Sequence, residues 1–256
     1  MNLKILLINN LLKRIFSKRI RNLLGIRPTL ALIDYNSGNT SVSDAFFWRT
    51  DGDFQTIFKL TNILNYFYNV KQSNIKLIFF DKNNKFLKEY NIIDPDTSSQ
   101  ILINKSFLND VSDYGVFYVF HETDEILNSI IRNSCYTGYS WKKNIASMVH
   151  GNTITAHKKF NSEVINYGAG GYSFFKERSY YIQNYFNSKK IEIMLVNPTN
   201  REIKISVNNN NFNLKKGCSK LINIHNEPTI KIESKCYLLR PIIFESNNEY
   251  INVYHG

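Results

Sequence analysis

Short apolar or aromatic runs separated by clusters of Asn, Asp, Gly and Ser fill the chain after Pro28, and this spacing limits its fold more than any other feature. The longer runs are 30–34, 43–48, 75–80, 115–120, 191–196 and 237–244. Alternating segments lie at 86–92, 100–103, 163–167, 203–207, 220–224, 229–232 and 250–254. They are rich in Ile, Val, Phe and Tyr, residues whose branched or planar side chains pack well on a pleated surface. Many short strands at intervals of about 8–12 residues describe an all-β fold. No strand is followed by an amphipathic stretch long enough for a crossover helix, which excludes a doubly wound α/β fold. Residues 56–68 fit a helix or a strand pair, and residues 123–132 fit a helix.

The order of strands and turns recurs. KLIFF, a DKNN turn and the segments to GVFYVFHE around 75–121 parallel IEIMLV, an NPTN turn and the segments to KCYLLRPIIFE around 191–245. The expected architecture is all-β: two tandem immunoglobulin-like β-sandwich domains, 29–150 and 151–256, preceded by a basic amphipathic helical arm at 1–28. Pro241 lacks an N–H for a ladder, so the last long run is expected at an edge or bulge.

The charge is concentrated at one end. The chain of 256 residues carries a formal +11, the signature of a nucleic-acid binder when it is spread over a face. Here Lys4, Lys13, Arg14, Lys18, Arg19, Arg21 and Arg27 stand in the first 28 residues without one acid. The rest holds 25 basic and 21 acidic residues. The body is therefore nearly neutral, which argues against nucleic acid as the partner. Leu11, Leu12, Ile15, Phe16, Ile20 and Leu23 share one helical face, and Arg14, Lys18 and Arg21 the opposite one. Such a helix suits an anionic membrane surface through residues 4–27, or docking on the body with its basic face in water. Asn9 and Asn10 interrupt the apolar stretch, unlike a secretory signal. No apolar run reaches the roughly 18–20 residues of a membrane span. Three cysteines (Cys135, Cys218, Cys236) without C-x-x-C spacing suit a reducing compartment, hence the cytoplasm or the inner face of a membrane. A Cys218–Cys236 bridge is the alternative to three free thiols.

Candidate chemistry lies in three places. Segment 135–157 is dense in polar and aromatic groups, with Tyr139, Trp141 and Asn152 as ligand contacts. His150 serves as a general base if the protein is an enzyme. In SDAFFWR, Asp44 and Trp48 share a strand face, an acid beside a stacking platform that suits a sugar ring, with Arg49 on the other face. At strand ends stand His121, Glu122 and His255. Glu122 or Asp44 would partner His150 in catalysis. No metal-ligand spacing, nucleophile elbow or phosphate loop is present, so neither metal nor cofactor is expected.

SDAFFWR, SMVHGN and RPIIF…VYHG together resemble a group of bacterial tandem β-sandwich proteins associated with surface-polysaccharide assembly. The resemblance covers residues 40–256 and implies glycans as ligands. The leading expectation is a non-catalytic protein that binds a glycan or a protein partner at a membrane surface. The alternative is a carbohydrate-active enzyme built on His150.

Overall fold

The computed structural model describes residues 40–256 apart from 94, 97, 126–134, 143, 152, 161–162, 169–170, 173–176, 185–189, 198–201, 226, 238 and 247–249; side chains at 40–44, 153–176 and 237 are also outside the description. The expected arm at 1–28, the run at 30–34 and most of the helix expected at 123–132 lie outside the described residues. Among the described residues strand predominates, and helix is limited to two short segments.

The strands of the first part are β1 (Thr40–Arg49), β2 (Phe54–Thr61), β3 (Asn74–Asp81), β4 (Phe86–Ile93), β5 (Ser98–Ile103), β6 (Tyr114–Glu122), β7 (Tyr136–Trp141), β8 (Ser147–His150), β9 (Thr153–Phe160) and β10 (Glu163–Gly168). Those that follow are β11 (Gly171–Tyr172), β12 (Arg178–Gln183), β13 (Lys190–Val196), β14 (Ile203–Val207), β15 (Asn210–Leu214), β16 (Ser219–His225), β17 (Thr229–Ser234), β18 (Cys236–Tyr237), β19 (Ile242–Ser246) and β20 (Ile251–His255). Segment 56–68 divides between β2 and a short helix, α1 (Ile63–Tyr68). Asn62 caps that helix by accepting from the Asn65 N–H, and Asn69 ends it in the left-handed conformation.

Four sheets follow one another. Sheet I has the order β5-β2-β7-β8, sheet II β10-β9-β1-β6-β3-β4, sheet III β16-β13-β19-β20 and sheet IV β12-β17-β14-β15; β11 and β18 form a separate pair. Phe46, Trp48, Phe79 and Phe117 of sheet II meet Phe58, Leu60, Ile101 and Ile103 of sheet I. Phe117 stacks on both Phe46 and Phe79, with ring centroids 5.4 and 5.0 Å away, and Phe58 is set edge-on. The other face of sheet II, through Phe47, Tyr118 and Phe120, packs on Met194, Val196, Ile242 and Phe244 of sheet III. Tyr139 and Val149 close this core from the β7–β8 edge of sheet I. Ile191, Ile193 and Leu195 of sheet III then pack on Ile203, Ile205, Ile230 and Ile232 of sheet IV. Each large side chain withdrawn from water here contributes roughly 1.5–3 kcal/mol.

This arrangement corrects the expected tandem immunoglobulin-like sandwiches. The fold is a propeller-like succession of four small sheets. Two observations carry the correction. The connectivity is not that of an immunoglobulin domain, in which the first strand pairs with the second and the seventh with the sixth. Here β1 pairs with β6, and β7 pairs with β2. Moreover, sheets II and III are covered on both faces. Seven consecutive residues of β6 and six of β13 are buried. Two separate sandwiches would each leave an outward polar face there. The recurrence is also shifted. Sheets II and IV share one strand pattern and sheets I and III the other, which equates β2 with β13, whereas the sequence segments had aligned β3 with it. Strands β9 and β10 add to the free edge of β1, so sheet II extends past the boundary expected at 150/151. Pro241 stands just before β19. None of the three cysteines is in a disulfide: Cys135 and Cys236 are buried and Cys218 half-buried.

Candidate functional site

The outward face of sheet I is the surface on which polar, apolar and aromatic groups are laid out without being consumed by the core. Along β2, Phe54, Thr56, Phe58 and Leu60 are buried, so Gln55, Ile57, Lys59 and Thr61 point outward. Register places their neighbours in transverse rows. Gln100, Lys59, Tyr136 and His150 form one row across all four strands; Leu102, Ile57, Gly138 and Met148 form the next. The first row is polar and the second apolar. Leu102, Tyr136 and Met148 remain 44%, 40% and 37% exposed. Met148 lies so close over Gly138 that a Cβ there would collide with its sulfur. The imidazole of His150 leans on the Tyr136 ring, centroids 4.5 Å apart.

A depression of about 440 Å³ lies at the Lys59–Tyr136 end, with Thr61, Ser98, Ser99 and Gln100. At the opposite end a cleft of about 580 Å³ is lined by Asp53, Phe54, Gln55, Asn104, Lys105, Asp110 and Lys142, among others. Gln55 and Asn104 thus link the cleft to the face. Its walls are the β1–β2 turn, the segment after β5 and the β7–β8 turn. They are pinned from behind. The Thr50 hydroxyl donates to the Val111 carbonyl at 2.8 Å, and the Lys142 N–H donates to the Asp53 carbonyl at 3.1 Å. Gly52, Asn109, Asp110 and Lys142 all have positive φ here. Lysine has no local side-chain bond to favour this conformation, which costs roughly 1–2 kcal/mol. The turn aims the Lys142 ammonium back over the Trp141 ring, 4.1 Å from its centroid, beside the cleft.

The residues singled out in the sequence are dispersed. Trp48 is wholly buried, its indole N–H donating to the Phe80 carbonyl at 2.8 Å. Tyr139 is likewise buried and donates to the Phe47 carbonyl at 3.0 Å. Arg49 is buried in an ion pair that joins sheets II and III. Its Nε meets Asp51 and its Nη1 meets Glu192, both at 2.7 Å, and its guanidinium lies 3.7 Å from the Phe54 ring centroid. Burial alone would raise the Glu192 pKa, but the hydrogen bond and charge of Arg49 outweigh it and hold the carboxyl below its ordinary range. His121 is fully buried. Glu122 is half-buried and accepts from Asn74 at 3.0 Å, with Lys76 3.7 Å away; burial pushes its pKa up despite both partners. It shares the face of β6 that carries Tyr118 and Phe120, so sheet II and sheet I both stand between it and the outward imidazole of His150. The Asp44 backbone pairs with Val119 and Ile154 in the middle of sheet II. Asn152 lies outside the described residues. His255 reaches the His150 carbonyl at 3.1 Å, so these two meet, but through backbone. Of the expected site residues, the candidate base His150 is on the outward face, and the candidate ligand contact Trp141 stands beside the cleft.

Sequence reasoning missed Gln55, Ile57, Lys59, Gln100 and Leu102. Gln55 and Lys59 had a signal in FQTIFKLT, where they fall between Phe54, Phe58 and Leu60, and Gln100 and Leu102 had one in the alternating segment 100–103; the competing helical reading of 56–68 obscured the first. Among the described residues no group of three or more His, Cys, Asp and Glu side chains is placed to hold a metal ion. No described helix is long and apolar enough to cross a membrane.

No family model and no curated protein matches the chain. Among solved structures, a β-glucuronidase from Ruminococcus gnavus in complex with uronic deoxynojirimycin is similar at a TM-score of 0.20 and 7% identity, over 90% of this chain and 38% of that one. Two other R. gnavus β-glucuronidase structures, one of them the apo form, align at a TM-score of 0.18 with 7% and 8% identity, over 94% of this chain and 42% of theirs. The chain spans about two fifths of the length of these proteins. Likeness at this level carries no argument about fold or activity.

Proposed function

We propose that this is a non-catalytic binding protein that takes a glycan chain on the outward face of sheet I, and that residues 4–27 attach it to an anionic membrane surface at the inner face, in the service of surface-polysaccharide assembly. The observation that carries the reading is the pair of transverse rows, Gln100–Lys59–Tyr136–His150 beside Leu102–Ile57–Gly138–Met148. A sugar ring has an apolar C–H face and a rim of hydroxyls, and these rows offer a platform and hydrogen-bonding groups side by side. Binding is favoured over catalysis because His150 and Glu122 lie on opposite sides of two sheets. General acid–base chemistry needs both groups within hydrogen-bond reach of one substrate.

Two measurements test the proposal. Tyr136→Ala and Leu102→Ser are each expected to weaken retention on immobilised polysaccharide about tenfold, the effect of losing a central contact. Phe86→Ala, at an exposed aromatic on β4 of sheet II, leaves retention unchanged. Equal retention of all four proteins would refute the site. Separately, deletion of residues 1–27 is expected to abolish sedimentation with anionic vesicles, and undiminished sedimentation would remove the membrane role.

A further inference from the structure

Charge on the outward face of sheet I narrows the class of glycan. Strands β2, β5, β7 and β8 contain no aspartate or glutamate. Lys59 is exposed in the middle of its row, between Gln100 and Tyr136, and has no carboxylate partner among the described residues. Among the described residues that line its two depressions, acids enter only at the end cleft, where Asp53 and Asp110 stand with Lys105 and Lys142. Neutral sugars bind best where carboxylates accept their hydroxyl protons, because an ionised carboxylate is the strongest acceptor that a side chain offers. This face offers an ammonium and side-chain amides instead, so the missing negative charge is supplied by the ligand. From Gln55 to Thr61 the face runs about 20 Å at the rise of a strand, longer than one ring.

Resting on the glycan-binding reading, we propose that the face takes an acidic polysaccharide in extended form along β2 and β5, with a ring-borne carboxylate on Lys59 and the apolar row beneath a neighbouring ring. The carboxylate–ammonium contact is a charge-assisted hydrogen bond, stronger than a neutral one. An acidic peptide offers the same charge, but it lacks the rigid ring faces that the Leu102–Ile57–Met148 row would support.

The test is calorimetric titration of the full chain with polygalacturonate, alginate and hyaluronate, with fully methyl-esterified polygalacturonate, with neutral dextran and β-glucan, and with poly-glutamate. At least one acidic glycan is expected to bind at least about tenfold more tightly than the neutral polymers, its methyl ester or poly-glutamate. Lys59→Gln, checked for native circular dichroism, is expected to erase that preference while leaving residual affinity for the ester. Binding of neutral glycans alone, or a preference that survives Lys59→Gln, would overturn the acidic assignment and leave the glycan site standing. Tight binding of poly-glutamate would show that charge alone is read. Binding of no glycan at all would overturn both readings.

Discussion

Replacing Arg49 with methionine is expected to cost about 3 kcal/mol of stability, because it strands Glu192 as a buried charge. In the native protein the guanidinium joins Asp51 and Glu192 and covers Phe54, so one side chain ties the β1–β2 turn of sheet II to β13 of sheet III. Glu192 keeps only Lys190, 3.4 Å away and half exposed, when Arg49 is gone. The double variant Arg49→Met, Glu192→Met removes both charges and should recover most of the loss, since apolar replacements of a buried pair are often neutral. Urea titration of the two variants and the native protein decides the matter. A single variant as stable as the native protein would show that this ion pair does not hold sheets II and III together. The pH dependence carries a defined sign. The Glu192 pKa is lowered on folding, so its contribution is complete above the unfolded value, near 4.5, and is lost as pH falls through the lower native value. The native protein should therefore lose stability more steeply than the double variant below about pH 4.5.

Gly115→Ala is expected to be more damaging still, to the point of preventing folding. Gly115 sits opposite Trp48 on one side and Asp81 on the other in sheet II. A Cβ at this position would run into the Phe80 carbonyl and would lie 2.8 Å from the Trp48 indole nitrogen. These are the two atoms joined by the Trp48–Phe80 hydrogen bond. The methyl group therefore has to push apart β3 and β6 in the most deeply buried sheet, where close packing leaves no room to yield. Gly52→Ala is the matched control. Gly52 has a φ of +55° with nothing within 4 Å of the added carbon, so it pays only the left-handed penalty, roughly 1–2 kcal/mol. Soluble yield and thermal unfolding of both variants check the contrast. A Gly115→Ala protein that melts within a few degrees of Gly52→Ala would mean that β3 and β6 are less tightly joined than described.

The strands were legible in the sequence because each is specified locally. Apart from Lys76 and Glu192, KLIFF, GVFYVF and IEIMLV are apolar runs, and they became β3, β6 and β13, strands of the two sheets buried on both faces. Continuous burial leaves no polar alternation, and the runs showed it. How the sheets meet was not legible. An apolar face on β1 reads the same whether it covers sheet I or sheet III, and the sequence reading assigned each half its own core. The same ambiguity applies to the aromatic residues singled out in the sequence. Trp48 and Tyr139 have the composition of a stacking platform, but each ring fills a core and its polar atom is spent on a backbone carbonyl. His150, singled out for its His-Gly-Asn step, stands exposed on the outward face of sheet I.

The sequence by itself determined where the chain extends and turns, since side-chain period and Asn-rich punctuation act over a few residues. It also placed the excess positive charge in the first 28 residues. Only the tertiary structure decided that sheets II and III share a core, that Arg49 is spent on an ion pair, and that Lys59, Tyr136 and Leu102 lie together on an open face. Those outcomes depend on residues tens to more than a hundred positions away, and no local pattern records that.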